Sequence, residues 1–212
     1  MIKCLVVGLG RIGMLYDNPK YPNQIWSHTK AIRKSKYFKL NCGIDKNLKN
    51  LNIFKKRYKK TLALKNISEI PSNFKTDIGI ISTPAKDHYN SINKLLKKIK
   101  PSMIICEKPI EYNLKNSLKI LDLCKRNKVK LVVNYIRRCD PSASTIKKII
   151  DRKQKKNKNF YAHGTIRYSK GLLENGSHFI DLAIYWFGKI EKIEKIKKQK
   201  KFDFDFILFF KN

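Results

Sequence analysis

The sequence predicts an α/β fold, with a doubly wound parallel sheet followed by an incomplete α+β unit that carries an open mixed or antiparallel sheet. Three observations predict it. Short apolar runs alternate with helical stretches over residues 1–135, and the first run leads directly into Gly8-Leu9-Gly10-Arg11-Ile12-Gly13. Beyond 135 the alternation stops, which separates a 1–135 domain from a 136–212 domain.

Strands are predicted at Ile2 to Val7, Lys39 to Asp45, Asp77 to Ser82, Ser102 to Glu107 and Val129 to Asn134. Each is a nearly continuous apolar run, as strands covered on both faces require. Helices are predicted near 28–36, 47–59, 86–98 and 113–126, the last with Leu114, Leu118, Leu121 and Cys124 at helical spacing. Repeated strand, helix, strand units wind into a parallel sheet. Residues 14–27, rich in Tyr, Pro and Asn, read as an insertion. A helix near 142–151 runs into Arg152-Lys153-Gln154-Lys155-Lys156-Asn157-Lys158, read as a solvated turn and hinge. A strand from Phe160 to Tyr168, an apolar and therefore buried helix from Ser177 to Phe187, and β-like runs at 190–200 and 202–210 complete the chain.

The formal charge is +32, which first suggests nucleic acid. However, 40 of the 48 basic residues are Lys, they are spread over the whole chain, and Lys, Asn and Ile together make up 86 of 212 residues. All three have codons made of A and T alone, so the charge reads as compositional drift, and no nucleic-acid partner is expected. The five cysteines form no CxxC pair and no cluster with His, which predicts reduced, mostly buried thiols and no metal site. No apolar stretch approaches the length of a membrane span, and the opening run is too short for a signal peptide. A cytoplasmic protein without a membrane partner is expected.

In the pattern of Gly8, Gly10 and Gly13, the first glycine permits a tight turn and the second lets backbone approach a pyrophosphate. The third allows close packing of helix on strand, with the helix N-terminus facing the phosphates; Arg11 and Ile12 lie between. Asp45, at the end of the second strand, is placed to bind adenosine ribose hydroxyls, although it could equally cap the next helix. Lys46 beside it would instead favour a 2′-phosphate, so the cofactor is NAD or NADP. Thr83 and Pro84 end the third strand at the rim where ligands bind, with His88 one turn on; by itself His88 also reads as a surface helix histidine. Glu107 and Lys108 end the next strand. A cis bond between Lys108 and Pro109 would aim the ammonium into the crevice. In Gly171-Leu172-Leu173-Glu174-Asn175-Gly176-Ser177-His178-Phe179-Ile180-Asp181, residues 174, 178 and 181 share a face if the helix begins early enough. His178 could then move a proton while a carboxylate orients it, or His178 and Asp181 could be a satisfied core pair.

Together, GLGRIG at 8–13, STPAKDH at 82–88, CEKP at 106–109, NYIRRCDP at 134–141 and GLLENGSHFIDL at 171–182 resemble the glucose-fructose oxidoreductase and inositol dehydrogenase family. The resemblance implies an N-terminal Rossmann domain and a C-terminal domain whose sheet supports substrate and homo-oligomer contacts. It implies that Lys108 and His178 line a pocket for a sugar-type substrate, with His178 as the acid/base, and that Arg137 or Arg138, Asn134, Asn175 and Asp181 lie near substrate or cofactor. Glu174 stands where many members carry Asp. Family members are longer, so the chain also reads as truncated; the alternative to an active dehydrogenase is a catalytically silent, nucleotide-binding remnant.

Overall fold

The structure is a computed structural model that describes residues 1–17, 20–157, 160–200 and 203–211; of 197–200 and 203–204 only the backbone is described. The chain divides into two units, Met1–Asn134 and Tyr135–Asn212.

In the first unit the elements are β1 (Ile2–Val7), α1 (His28–Lys34), β2 (Phe38–Ile44), α2 (Leu48–Arg57), β3 (Leu62–Leu64), β4 (Ile78–Ile81), α3 (His88–Lys98), β5 (Met103–Cys106), α4 (Leu114–Arg126) and β6 (Lys130–Val133). The strands form one six-stranded parallel sheet in the order β3-β2-β1-β4-β5-β6. β1 shows why both faces are covered. Leu5 and Val7 point into a core that includes Ile92, Leu95 and Leu96 of α3 and Ile120 and Cys124 of α4, while Cys4 and Val6 point into one formed with Ile32 of α1 and Leu51 and Phe54 of α2. Successive side chains alternate across a strand, so one apolar run feeds two helical layers. The sequence therefore folds as an α/β doubly wound sheet, and the strand order reverses between β1 and β4, where a ligand crevice forms at the carboxyl ends.

Two expectations for this unit are corrected. Of the expected α4 stripe only Cys124 is buried: Leu114, Leu118 and Leu121 are exposed, and Ile120, outside that stripe, joins the core in their place. Two apolar stripes share this helix, and periodicity alone does not choose between them. The edge strand β3 was absent from the sequence reading because three residues carry too little pattern.

The second unit contains α5 (Pro141–Lys156), α6 (Ser177–Phe187) and an antiparallel pair, β7 (Ile190–Lys200) and β8 (Asp203–Phe210). α5 starts with Asp140 as N-cap, whose carboxylate accepts from Ser142 N at 2.8 Å, and with Pro141 in the first turn. It continues to Lys156, so the basic run expected to be a turn and hinge is helical through 156. Lys, Arg and Gln are good helix formers, and cations in a last turn face the negative end of the helix dipole; Lys158 lies outside the described residues.

The strand expected over Phe160 to Tyr168 is not formed: the backbone there is irregular. A strand needs a ladder partner, and β7 pairs with β8 rather than with this segment. α6 is less covered than its all-round apolar sequence suggests. Leu182 and Ala183 are buried, but Ile184 is 38% exposed, because the helix packs on α5 and, through Phe187 against Phe210, on β8, leaving its other side uncovered. Among the described residues no helix is long and apolar enough to cross a membrane, and no group of His, Cys, Asp and Glu could hold a metal ion. Cys4, Cys42, Cys106 and Cys124 are buried free thiols, and Cys139 is exposed. Burial pushes the Cys42 thiol up to about 12 and Cys4 and Cys124 to about 11, so these three are unreactive.

Candidate functional site

The rim of the first unit is built around the glycine turn. Gly8 has φ +92, and a Cβ there would lie 2.7 Å from the backbone of Ser82 and Thr83, so the turn packs directly against the end of β4. A Cβ on Gly13 would meet Gly8 O at 2.0 Å, whereas a Cβ on Gly10 would meet nothing within 4 Å. The first and third glycines are thus closed by protein and the second faces open space, the side on which a pyrophosphate can approach backbone N–H groups.

The ends of the neighbouring strands hold this turn. Ser82 Oγ donates to Gly8 O at 2.7 Å and Val7 O at 3.1 Å. Asp45 Oδ2 accepts from Leu9 N at 2.7 Å and Asn50 Nδ2 at 3.0 Å, and Oδ1 accepts from Asn47 N at 2.8 Å. Asp45 does not cap α2, whose N-cap is Asn47. A carboxylate has about four acceptor positions, so Asp45 retains capacity for a ribose hydroxyl.

One part of the motif reading changes. The glycines lead into a single five-residue π turn, Arg11–Leu15, and the first α-helix begins only at His28. A helix dipole at the pyrophosphate is therefore replaced by the free N–H groups of one turn.

Thr83 is half-buried and Pro84 exposed at the same rim. His88 is neither a surface histidine nor placed to touch a cofactor: it is 1% exposed, with Nε2 at 2.8 Å from Thr83 O and Nδ1 at 3.0 Å from Ile110 O. Nδ1 also lies 3.3 Å from Cys106 Sγ, so the ring sits packed between the loop after β4, the end of β5 and the loop that follows it.

The loop after β5 carries Glu107 and Lys108, and the Lys108–Pro109 bond is cis. Lys108 is half-buried. Glu107 Oε1 lies 2.7 Å from His28 Nε2 and accepts from Asn134 Nδ2 at 2.7 Å. Burial disfavours the Glu107 carboxylate, but the hydrogen bonds from His28 and Asn134, the His28 charge and the Lys108 N–H outweigh it and hold its carboxyl below the ordinary range.

A lowered folded value means the stabilisation is present above the unfolded value of about 4.3 and is lost as pH falls through the folded one. We expect Glu107→Gln to remove that loss, giving an unfolding free energy that changes less below pH 4.3 than the wild type's. An unchanged acid limb in urea titrations at stepped pH would contradict it. His28 had no signal in the sequence beyond its helix-start position, because its partner is 79 residues away.

In the second unit, Ile136, Arg137, Cys139, Asp140 and His178 line an open cleft of about 400 Å³. His178 is the second residue of α6 and lies edge-on to Tyr135, centroids 5.7 Å apart. Tyr135 is pushed up chiefly by burial and by the charge of Asp181. Arg138 and Asp181, both expected near substrate, instead form a two-pronged pair with each other, Nε to Oδ2 at 2.6 Å and a terminal nitrogen to Oδ1 at 2.7 Å. That geometry matches the guanidinium fork to both carboxylate oxygens and ties the turn ahead of α5 to α6. Asn175 Oδ1 accepts from Arg137 at 3.3 Å, and Arg137 stacks on Phe179 at 4.8 Å. Glu174 is exposed in a π turn, Leu172–Gly176, ahead of α6. Its i→i+5 winding breaks the 3.6-residue spacing that would align 174 with 178 and 181.

By sequence, the family described as oxidoreductase family, NAD-binding Rossmann fold, matches residues 2–135. No curated protein matches the chain. Among solved structures it resembles scyllo-inositol dehydrogenase from Lactobacillus casei (20% identity, TM-score 0.69, covering 95% of this chain and 60% of that one). It also resembles an oxidoreductase from Agrobacterium radiobacter in complex with NAD+, L-tartaric acid and magnesium (14%, 0.71, 98% and 62%). A third is an oxidoreductase from Desulfitobacterium hafniense assigned as NADPH-dependent (18%, 0.74, 99% and 64%). The chain spans 58% and 59% of the length of two further relatives. With the family matched over its whole first unit and the glycine turn built to its pattern, the chain belongs to the NAD-binding Rossmann-fold oxidoreductase family.

Proposed function

We propose that the chain is an NAD(P)-dependent oxidoreductase that moves hydride between nicotinamide and a secondary hydroxyl or ketone of a sugar, cyclitol or nucleotide sugar. The observation that carries this reading is the glycine turn, closed at Gly8 and Gly13 and open at Gly10, beside the Asp45 carboxylate. When bound, the nicotinamide supplies or accepts the hydride. The protein supplies the rest. Backbone N–H groups after Gly10 receive the pyrophosphate, and Asp45 accepts from the adenosine ribose, which favours NAD, since a 2′-phosphate there would meet its charge. Lys108 polarises the reacting oxygen, and His178 takes or returns the proton of the hydroxyl, each at a residue that the family resemblance assigns. Arg137 is a further candidate for substrate contact, in the cleft that His178 also lines.

The same reading has copies of the chain meeting through β7 and β8, where Ile193 and Ile196 are exposed, in the cytoplasm. The test is direct. The protein is titrated with NADH and NADPH, following nicotinamide fluorescence, and then assayed on a panel of inositols, sugars and sugar nucleotides. Saturable binding followed by NAD(P)-linked turnover is expected; no binding of either cofactor at millimolar concentration removes the reading.

A further inference from the structure

We propose that His28 is a positioning residue, which through its hydrogen bond to Glu107 fixes the strand end that presents Lys108 to the nicotinamide half of the cofactor. The proposal rests on the dinucleotide reading above and adds to it a residue from outside the family motifs.

The geometry around Glu107 carries it. Its Oε1 receives two side chains, His28 Nε2 and Asn134 Nδ2, each at 2.7 Å. Glu107 is thereby pinned just past the end of β5, and Lys108 leaves the chain at the next residue, so what holds that carboxylate bears on where the ammonium is presented. Both partners of the His28–Glu107 bond are largely withdrawn from water, at 16% and 13% side-chain exposure, so water is a poor substitute for a lost donor.

His28 is itself anchored. It is the first residue of α1, behind the N-cap Ser27, whose hydroxyl donates to Asp17 Oδ2; Asp17 Oδ1 accepts from Trp26 N at 2.9 Å. The segment between the glycine turn and α1 thus returns to the rim with its end fixed, and it places an imidazole against the β5 end.

Sheet order says which half of the cofactor should sense this. Asp45 ends β2, one strand from β1 on one side, and Glu107 ends β5, two strands from β1 on the other. Strands lie about 4.8 Å apart, so β5 is roughly 10 Å from the strand that carries the glycine turn. A dinucleotide whose pyrophosphate rests on that turn, with adenosine over β2, has only its nicotinamide end to lay toward β4 and β5.

The experiment compares the wild type with His28→Phe, which keeps a ring of similar volume without the nitrogen, and His28→Gln, which keeps a donor. Each full-length protein is titrated with NADH or NADPH, whichever the wild type binds more tightly, and with ADP, which lacks the nicotinamide riboside. We expect His28→Phe to weaken the dinucleotide roughly tenfold, as loss of one buried charge-assisted bond implies, with ADP affinity within about twofold and most of the loss recovered in His28→Gln. If His28→Phe does not fold, as judged by thermal unfolding, His28→Ala takes its place in the same comparison. Equal weakening of dinucleotide and ADP, no weakening of either, or no recovery in His28→Gln overturns the proposal. A wild type that binds neither ligand overturns the dinucleotide reading, and this inference with it.

Discussion

Gly13→Ala is expected to lose dinucleotide binding and to unfold more easily than the wild type by about 3 kcal/mol. The new Cβ would lie 2.0 Å from Gly8 O, 3.0 Å from Gly8 C and 3.0 Å from Ser82 Oγ. Two of these three neighbours are backbone, which has little room to yield, and the third is the hydroxyl that donates to Gly8 O. Relief requires either Gly8, already at φ +92, or the end of β4 to move, and both border the proposed pyrophosphate site. Urea denaturation reads the stability change and a NADH titration reads the binding. A variant with wild-type affinity would show that this turn is not the phosphate site. Gly10→Ala makes a useful contrast, since its Cβ meets no protein atom: there the loss should fall on binding, with stability nearly unchanged.

The largest effect on turnover is expected at His178. Using a polyol or sugar that the wild type oxidises, His178→Ala should lower kcat by about 10²–10⁴, the range typical for removing a positioned acid or base, while NADH affinity stays at the wild-type value. The imidazole borders the cleft of the second unit and is braced edge-on by Tyr135, which keeps its plane defined. Stopped-flow and steady-state rates on the same preparation separate a chemical defect from a binding one. A kcat within threefold of the wild type would remove His178 from the mechanism.

The parallel sheet was legible because burial on both faces forces uninterrupted apolar runs, so Ile2 to Val7 and Met103 to Cys106 announce themselves. The glycine spacing was legible for a related reason: backbone contact at 2.0–2.7 Å tolerates no side chain. What stayed hidden depends on partners distant in sequence. Helical spacing offered Leu114, Leu118, Leu121 and Cys124 as a core face, and the tertiary fold kept only Cys124 and added Ile120. Residues 160–168 look like a strand in isolation, but a strand exists only where another lends it hydrogen bonds. Arg138 and Asp181 both looked like ligand contacts, and their pairing across 43 residues could not be read from either position. The role of His88 changed likewise, from surface to buried position, because Thr83, Cys106 and Ile110 enclose the ring.

The glycine turn is gripped from the sides, by Asp45 through Leu9 N and by Ser82 through Gly8 O, and the helix that ordinarily follows such a turn starts only at His28. Anchorage and connection are thereby uncoupled. The stretch between the turn and α1 is tied to neither of these grips, and its demands are local: Asp17 must hold Trp26 and Ser27, and His28 must still reach Glu107. In this architecture the length of one loop can vary while the turn beneath it keeps its shape.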